Sequence, residues 1–198
     1  MAIRSTTLKN HGERYIIVMD GAQTLGDALQ FLRGHGYQAN QTYLVVAQTD
    51  QRHRVALFSE LKGVVAMMGY DSFAQPLHAL PLPFADRVES TDTPQSGQEV
   101  VDWVASNPQS TVVVIEGDQV VGLFANPNRS SGSGWLDNLS LLELHGELVQ
   151  LGGDPRADFV ARVRPPRCPH CQMENFFEFN PQQRVYICPH CGEAVGQS

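Results

Sequence analysis

The sequence predicts an α/β (α+β) protein: two β-α-β-β-α repeats packed as a pair, followed by a small cysteine-bearing β-hairpin. Three observations carry that prediction. Residues 1–161 contain the same order of strand, turn and helix signals twice. All four cysteines fall in the last 31 residues, as two Cys-x-x-Cys pairs. The composition is that of a globular chain, with 42% apolar and 18% charged residues in 198, which excludes a wholly disordered or coiled-coil protein. This length suits one large domain or two small ones. We expect a tandem-repeat domain at 1–161 (repeats about 14–70 and 84–130) and a linker plus hairpin module at 162–198.

In the first repeat, a strand ending near Val18 runs into a turn rich in Asp, Thr and Gly. An amphipathic helix follows, with Leu25, Ala28, Leu29 and Leu32 on one face. Two apolar strands come next, Tyr43–Ala47 and Arg54–Phe58, across the polar turn Gln48–His53. Ser59–Met68 then reads as a helix, with Ser59 as its cap and Glu60 in its first turn.

The second repeat has a strand ending near Val88 and a helix with Val100, Val101 and Val104 on one face. Its strands are Thr111–Ile115 and Gln119–Phe124, joined by the tight Glu116–Asp118 turn, in which Gly117 is a hairpin signal. Leu57-Phe58 aligns with Leu123-Phe124 at an offset of 66, too long a period for a short solenoid repeat. Between the repeats, His78-Ala-Leu-Pro-Leu-Pro-Phe is an apolar, proline-rich docking segment. Asn126–Gly134 reads as a helix-breaking loop, and Leu136–Leu151 as an apolar helical or mixed stretch ending at Gly152-Gly153. Arg162–Arg167, with Pro165-Pro166 as a stiff spacer, leads to the cysteines.

The cysteine segment reads CPHCQMENFFEFNPQQRVYICPHCGEAVGQS. Sixteen residues separate the pairs Cys168/Cys171 and Cys188/Cys191, and FFEF, NPQQ and RVYI between them form a β-hairpin. Two such turns, one before the hairpin and one at its end, bring four thiolates to the corners of a tetrahedron, the geometry zinc takes in closed structural sites. Pro169 and Pro189 stiffen the turns, and Gly192 permits the bend after the last ligand. His170 and His190 are expected to face solvent, because four thiolates already fill the site. About 30 residues are too few for an independent apolar core, so the metal would supply the module's stability. Phe176, Phe177, Phe179, Tyr186 and Ile187 crowd the hairpin; those turned away from the metal either pack on the body or form a docking surface for a protein partner.

Over Cys168–Gly192 the segment resembles the zinc ribbon family, with both knuckles intact. Similar knuckles hold a single iron in rubredoxin-like modules, which usually carry a Gly after the first pair, where this chain has Gln172. Zinc is therefore the expected metal and iron the alternative.

From about Tyr15 to Asn128 the repeated order resembles the CBS domain family, best in LVVAQTDQRHRVALFSEL and VVVIEGDQVVGLFANPN. The resemblance implies two motifs joined as a Bateman module. Many such modules bind adenine nucleotides or adenosyl ligands in clefts between the motifs, and others serve only for dimerisation or interaction. The family's ligand signature follows the last strand: a Gly, apolar residues, a Thr or Ser, then an Asp three positions on. In the first repeat the match is Ala56-Leu57-Phe58-Ser59, but Lys62 stands where the Asp belongs; a lysine accepts no ribose bond and can instead meet a phosphate. In the second, Gly122-Leu123-Phe124 matches, Ala125 replaces the hydroxyl, and Asn128 replaces the carboxylate with one acceptor for a ribose bond. The implied ligand residues are Ser59, Lys62 and Asn128; their other reading is helix capping and solvation.

Residues 1–161 carry 10 Lys/Arg against 18 Asp/Glu, a net of −8, while residues 162–198 carry 4 against 3, a net of +1. An acidic body argues against general nucleic-acid binding. No window approaches the roughly 18 apolar residues of a membrane span, and MAIRSTTLKNHGERY lacks a secretory apolar stretch, so a cytoplasmic protein is expected. No phosphate-loop, dinucleotide, nucleophile-elbow or His-Glu-x-x-His motif occurs. The expected function is that of a non-enzymatic regulatory or adaptor protein, with a ligand-sensing or homodimerising body and a structural zinc ribbon that docks a partner. The alternatives are a rubredoxin-like electron-transfer module and a nucleic-acid-binding ribbon.

Overall fold

Seven strands form one sheet in the order in which they occur along the chain: β1 (Ala2–Thr7), β2 (Glu13–Asp20), β3 (Thr42–Ala47), β4 (His53–Leu57), β5 (Phe84–Glu89), β6 (Thr111–Glu116) and β7 (Gln119–Ala125). The computed structural model describes residues 2–7, 13–47, 52–89, 94–107, 111–125, 141–150 and 153–197. The chain divides into two units that interleave in sequence. A strand unit comprises Met1–Gly21, Tyr37–Phe58 and Pro83–Ser131; a helical unit comprises Ala22–Gly36, Ser59–Leu82 and Gly132–Ser198.

In the strand unit both repeats build the same ladder. β2 lies parallel to β3, which turns back antiparallel into β4; β5 lies parallel to β6, which turns back into β7. Parallel neighbours need a crossover of a dozen or more residues, which is why each repeat places a helix between its first two strands. β4 pairs antiparallel with β5 through His53–Ala85 and Arg54–Phe84, so the repeats share one sheet. They also share one apolar core. Ile16, Tyr43, Val45, Val55 and Leu57 from the first repeat meet Val113, Ile115, Val120, Leu123 and Ala125 from the second. These are every-second-residue positions, as a pleated strand requires, except that Val120 and Leu123 are three apart across the β-bulge in the β6–β7 pair. β3 is buried on both faces, since Leu44 and Val46 are as hidden as Tyr43 and Val45. Its run TYLVVA is accordingly apolar throughout rather than alternating.

Several expectations need correction. The strand β1, antiparallel to β2, was not predicted. At the open ends of the two hairpins the ladder partners are Tyr43–Leu57 and Thr111–Ala125. Leu57 and Leu123 both lie in the shared core. In α3 (Pro94–Ser106) Val104 is buried, but Val101 is 44% exposed, because it lies at the edge of the helix stripe, 100° from Val100. Gly117 takes φ +59° in the β6–β7 turn, as expected.

The helical unit begins with α1 (Leu25–Gly34). Thr24 caps it by accepting from the Asp27 N–H while Asp27 accepts from the Thr24 N–H, and Leu25, Ala28, Leu29 and Leu32 are all buried. The Thr24 bonds hold the Asp27 carboxyl below its usual range. α2 (Leu61–Met68) follows a 3-10 turn at Phe58–Glu60. Ser59 is therefore not a helix cap: the chain enters α2 already helical, with φ −74° and ψ −24° at Glu60 and no side-chain cap. Further 3-10 turns span Tyr70–Ala74 and Leu77–Ala79. The unit continues with α4 (Leu141–Gln150), inside the predicted apolar stretch, and α5 (Pro155–Arg162), which was not predicted. α5 has Asp154 as cap and Pro155 at its first position but buries only Phe159, too little for a periodic signal. Phe73 is the hub of the unit: its ring lies 5.0 Å from His145 of α4, 6.1 Å from Phe159 of α5 and 5.7 Å from Tyr70. Burial, with Arg33 second, keeps the His145 pKa below the ordinary imidazole value.

The expected spacer at Arg162–Arg167 is instead part of the packing. Val163 and Pro166 are buried, and the Pro166 carbonyl accepts from the Asn175 N–H at 3.1 Å. A three-stranded sheet of order β10-β9-β8 completes the unit, from β8 (Glu178–Asn180), β9 (Val185–Ile187) and β10 (Ala194–Gln197). Asn126–Gly134 lies outside the described residues. Among the described residues no helix is long and apolar enough to cross a membrane.

Two substitutions test this account by thermal unfolding. Thr24→Ala removes the capping box and should cost about 1 kcal/mol. Gly69 sits at φ +76°, and a Cβ there would lie 2.6 Å from Cγ of Phe176, so Gly69→Ala should cost about 1–3 kcal/mol, a fall of some 2–4 °C in Tm per kcal/mol. An unchanged Tm in either variant would contradict it.

Candidate metal centre

The two Cys-x-x-Cys segments fold into matching knuckles. The Gln172 N–H donates to the Cys168 carbonyl at 3.0 Å, and the Gly192 N–H to the Cys188 carbonyl at 2.9 Å. The Cys168 and Cys188 N–H groups donate to the Met173 and Glu193 carbonyls at 2.9 and 3.0 Å. Each knuckle ends in a left-handed residue, Gln172 at φ 63° and Gly192 at φ 74°. Gln172 holds that conformation while its side-chain amide donates to the Pro169 carbonyl at 3.0 Å.

The β8–β9 hairpin between them is set by Asn180, whose side-chain oxygen accepts from the Gln182 and Gln183 N–H groups at 3.0 and 3.1 Å. Arg184 closes the turn at φ 55°, its N–H donating to the Asn180 carbonyl at 2.8 Å. The predicted hairpin is thus present; β10, paired to β9, was not anticipated.

This framework brings the four Sγ atoms of Cys168, Cys171, Cys188 and Cys191 within 4.8 Å of one another. Cys168 and Cys191 are 3.9 Å apart, and Cys171 and Cys188 3.8 Å. Zinc–sulfur bonds of about 2.3 Å at tetrahedral angles place sulfurs about 3.8 Å apart, so the donor set has the size such a metal needs. The all-thiol donor set suits zinc or iron. His170 and His190 are exposed and stand outside the set; His170 Nε2 lies 3.2 Å from the Ala194 carbonyl instead.

The thiols are unequal. Backbone N–H groups, the Cys191 N–H first, draw the Cys188 pKa down to about 7. For Cys168 burial opposes ionisation, yet the Cys171 and His170 N–H groups outweigh it and the pKa is lowered. Cys171 and Cys191 receive N–H bonds from Met173 and Glu193, but burial and the neighbouring thiols prevail, raising Cys171 and pushing Cys191 up to about 12.

The module is fastened to the rest of the helical unit. The Phe177 N–H donates to the Met67 carbonyl at 2.7 Å, supplying a partner at the C-terminal end of α2, where carbonyls lack intrahelical donors. Met67 and Met68 pack against Cys168, Phe177, Tyr186 and Cys188. The Phe176 ring lies 5.7 Å from Phe159 and against Gly69. These aromatics therefore pack on the body, as expected. Nothing in the sequence singles out Met67 and Met68, which read only as the end of a helix. Glu174 meets both Arg164 and Arg167, at 3.2 and 3.3 Å.

The second candidate site is less defined. Ser59 lies in the 3-10 turn and Lys62 in the first turn of α2, both half-buried; Asn128 lies outside the described residues. A shallow groove of about 360 Å³ runs along Glu178, Phe179, Asn180, Pro181, Gln182 and Ile187, and neither Ser59 nor Lys62 lines it.

No protein-family model matches the chain, and no curated protein matches it. Among solved structures it is similar to a CBS-domain containing protein from Agrobacterium tumefaciens, at 18% identity over 57% of this chain and 84% of that one, with a TM-score of 0.37. It is also similar to Staphylococcus aureus OpuCA, at 17% identity over 57% of this chain and 87% of that one, with a TM-score of 0.35.

Proposed function

We propose that the chain is a non-enzymatic regulatory or adaptor protein of the cytoplasm. Its repeat body, residues 1–161, senses an adenine nucleotide or adenosyl ligand or joins two copies as a homodimer. Residues 162–198 form a zinc ribbon that docks a protein partner. The observation that carries the metal half is the set of four Sγ atoms within 4.8 Å, spaced as a tetrahedral tetrathiolate requires. Four sulfur ligands leave no position for water or substrate, so the metal acts structurally. The body half is supported by the sequence resemblance and by the ladder that both repeats share, a parallel pair followed by a hairpin. The residues proposed for it are Ser59 or Lys62 in the first repeat, where Lys62 would meet a phosphate, or Asn128 in the second, which would accept one ribose bond.

One observation favours a second reading, an iron-bearing electron-transfer module. Gln172 adopts the same left-handed backbone as Gly192, so lacking a glycine there does not alter the knuckle. Aerobically purified iron protein would be red and zinc protein colourless.

The metal half predicts one zinc per chain, with affinity that falls as pH falls. Cys171 and Cys191, the thiols with raised pKa values, are protonated at neutral pH, and the metal must displace those protons. These two displaced protons make the apparent affinity drop at least about a hundredfold per pH unit between pH 7 and 6, and Cys188, at about 7, steepens the fall by taking up a proton over the same range; competition with a chelator dye reads it. A flat profile would contradict the four-thiolate site. The ligand half predicts that AMP, ATP or S-adenosylmethionine raises the Tm of the zinc-loaded chain saturably, and that Lys62→Ala weakens the shift. No shift at millimolar ligand would remove that half.

A further inference from the structure

Resting on the metal reading above, we infer that metal occupancy of the cysteine module controls the order of α2, the helix that begins beside Ser59 and carries Lys62. The chain would thereby respond to a zinc-class divalent cation as well as to whatever its repeat body binds.

The argument starts from how little α2 holds by itself. It has eight residues and no side-chain cap at its start. Helices this short are marginal in water and depend on tertiary contacts. At its C-terminal end those contacts come from the module: the Phe177 N–H on the Met67 carbonyl, the cysteine-centred cluster around Met67 and Met68, and the Phe176 ring against Gly69. Gly69 in turn anchors the next turn, since its carbonyl accepts from the buried Ser72 hydroxyl at 2.6 Å. Phe176 also reaches Phe159, and Phe159 reaches Tyr70 and Phe73. A continuous line of rings and backbone bonds therefore runs from the cysteines to α2, the Tyr70–Ala74 turn and α5.

The module needs its metal to form this surface. Its strands have three, three and four residues, and its buried core is Cys168, Phe177, Tyr186 and Cys188, of which two are ligands. So small a core does not hold the hairpin without the cation. When the cation leaves, Phe176 and Phe177 are released, and the C-terminal end of α2 loses the donor on the Met67 carbonyl and the cover over Met67, Met68 and Gly69. β6 and β7 are an internal reference, because their core partners and the helix α3 packed on them belong to the strand unit.

Hydrogen exchange on the full chain, zinc-loaded and after zinc removal by a chelator, tests this. Amides of Leu61–Met68 and Tyr70–Ala74 should exchange at least about tenfold faster after chelation, while β6 and β7 keep their rates. Phe176→Ala keeps all four cysteines; it should retain stoichiometric zinc yet show the faster exchange in α2. Acceleration confined to residues 168–197, or a Phe176→Ala chain whose α2 exchanges like the parent's, would overturn the inference alone. A chain that takes up no zinc would overturn the metal reading, and this inference with it.

Discussion

Four sulfurs held within 4.8 Å of one another cannot all carry charge without a cation among them. In the proposed metal reading, that repulsion is the constraint on which the cysteine end of the helical unit depends. In each knuckle backbone N–H groups favour ionisation of both cysteines; they prevail at the first, while burial together with the neighbouring sulfurs prevails at the second. Because Cys168 and Cys188 are also core residues, a metal bound here, as proposed, would stand in for the apolar volume that so short a segment lacks.

The strand unit is organised by a different force. The ten buried side chains of its shared cluster come equally from the two repeats, so neither repeat completes that cluster alone. The β4–β5 pairing joins the repeats edge to edge, and the alternation of each strand sends matching sets of side chains into one interior. Duplication of the sequence is thus completed as a single structure rather than as two independent ones.

Much of this was legible in the sequence, and what was legible shares a cause. The helix face Leu25, Ala28, Leu29 and Leu32, the two hairpins and the cysteine knuckles rest on local periodicity, turn chemistry or ligand spacing, all properties of neighbouring residues. The misses are non-local. β1 exists because β2 offers it an edge, and α5 because Phe159 fits among Tyr70, Phe73 and Phe176. The Arg162–Arg167 stretch looked like a spacer because prolines stiffen a free chain as they do a packed one, and only the burial of Val163 and Pro166 separates the two cases. Ser59 looked like a cap because serine favours that role, but the preceding 3-10 turn removed the extended residue a cap requires. At the candidate metal centre the clustering of the four cysteines was evident from spacing, whereas Met67 and Met68, which pack on them, come from a segment a hundred residues upstream.

The interleaving of the two units has a consequence for any attempt to divide the protein. The polypeptide passes from one unit to the other five times, at residues 21/22, 36/37, 58/59, 82/83 and 131/132. No single cut yields either unit whole. A fragment ending before Cys168 would keep α1, α2, α4 and α5 but strip Phe176 from Gly69 and the Phe177 donor from Met67. Such a piece would be an injured protein, not a smaller one, and a shortened chain is a poor guide to what the repeat body does in the intact molecule.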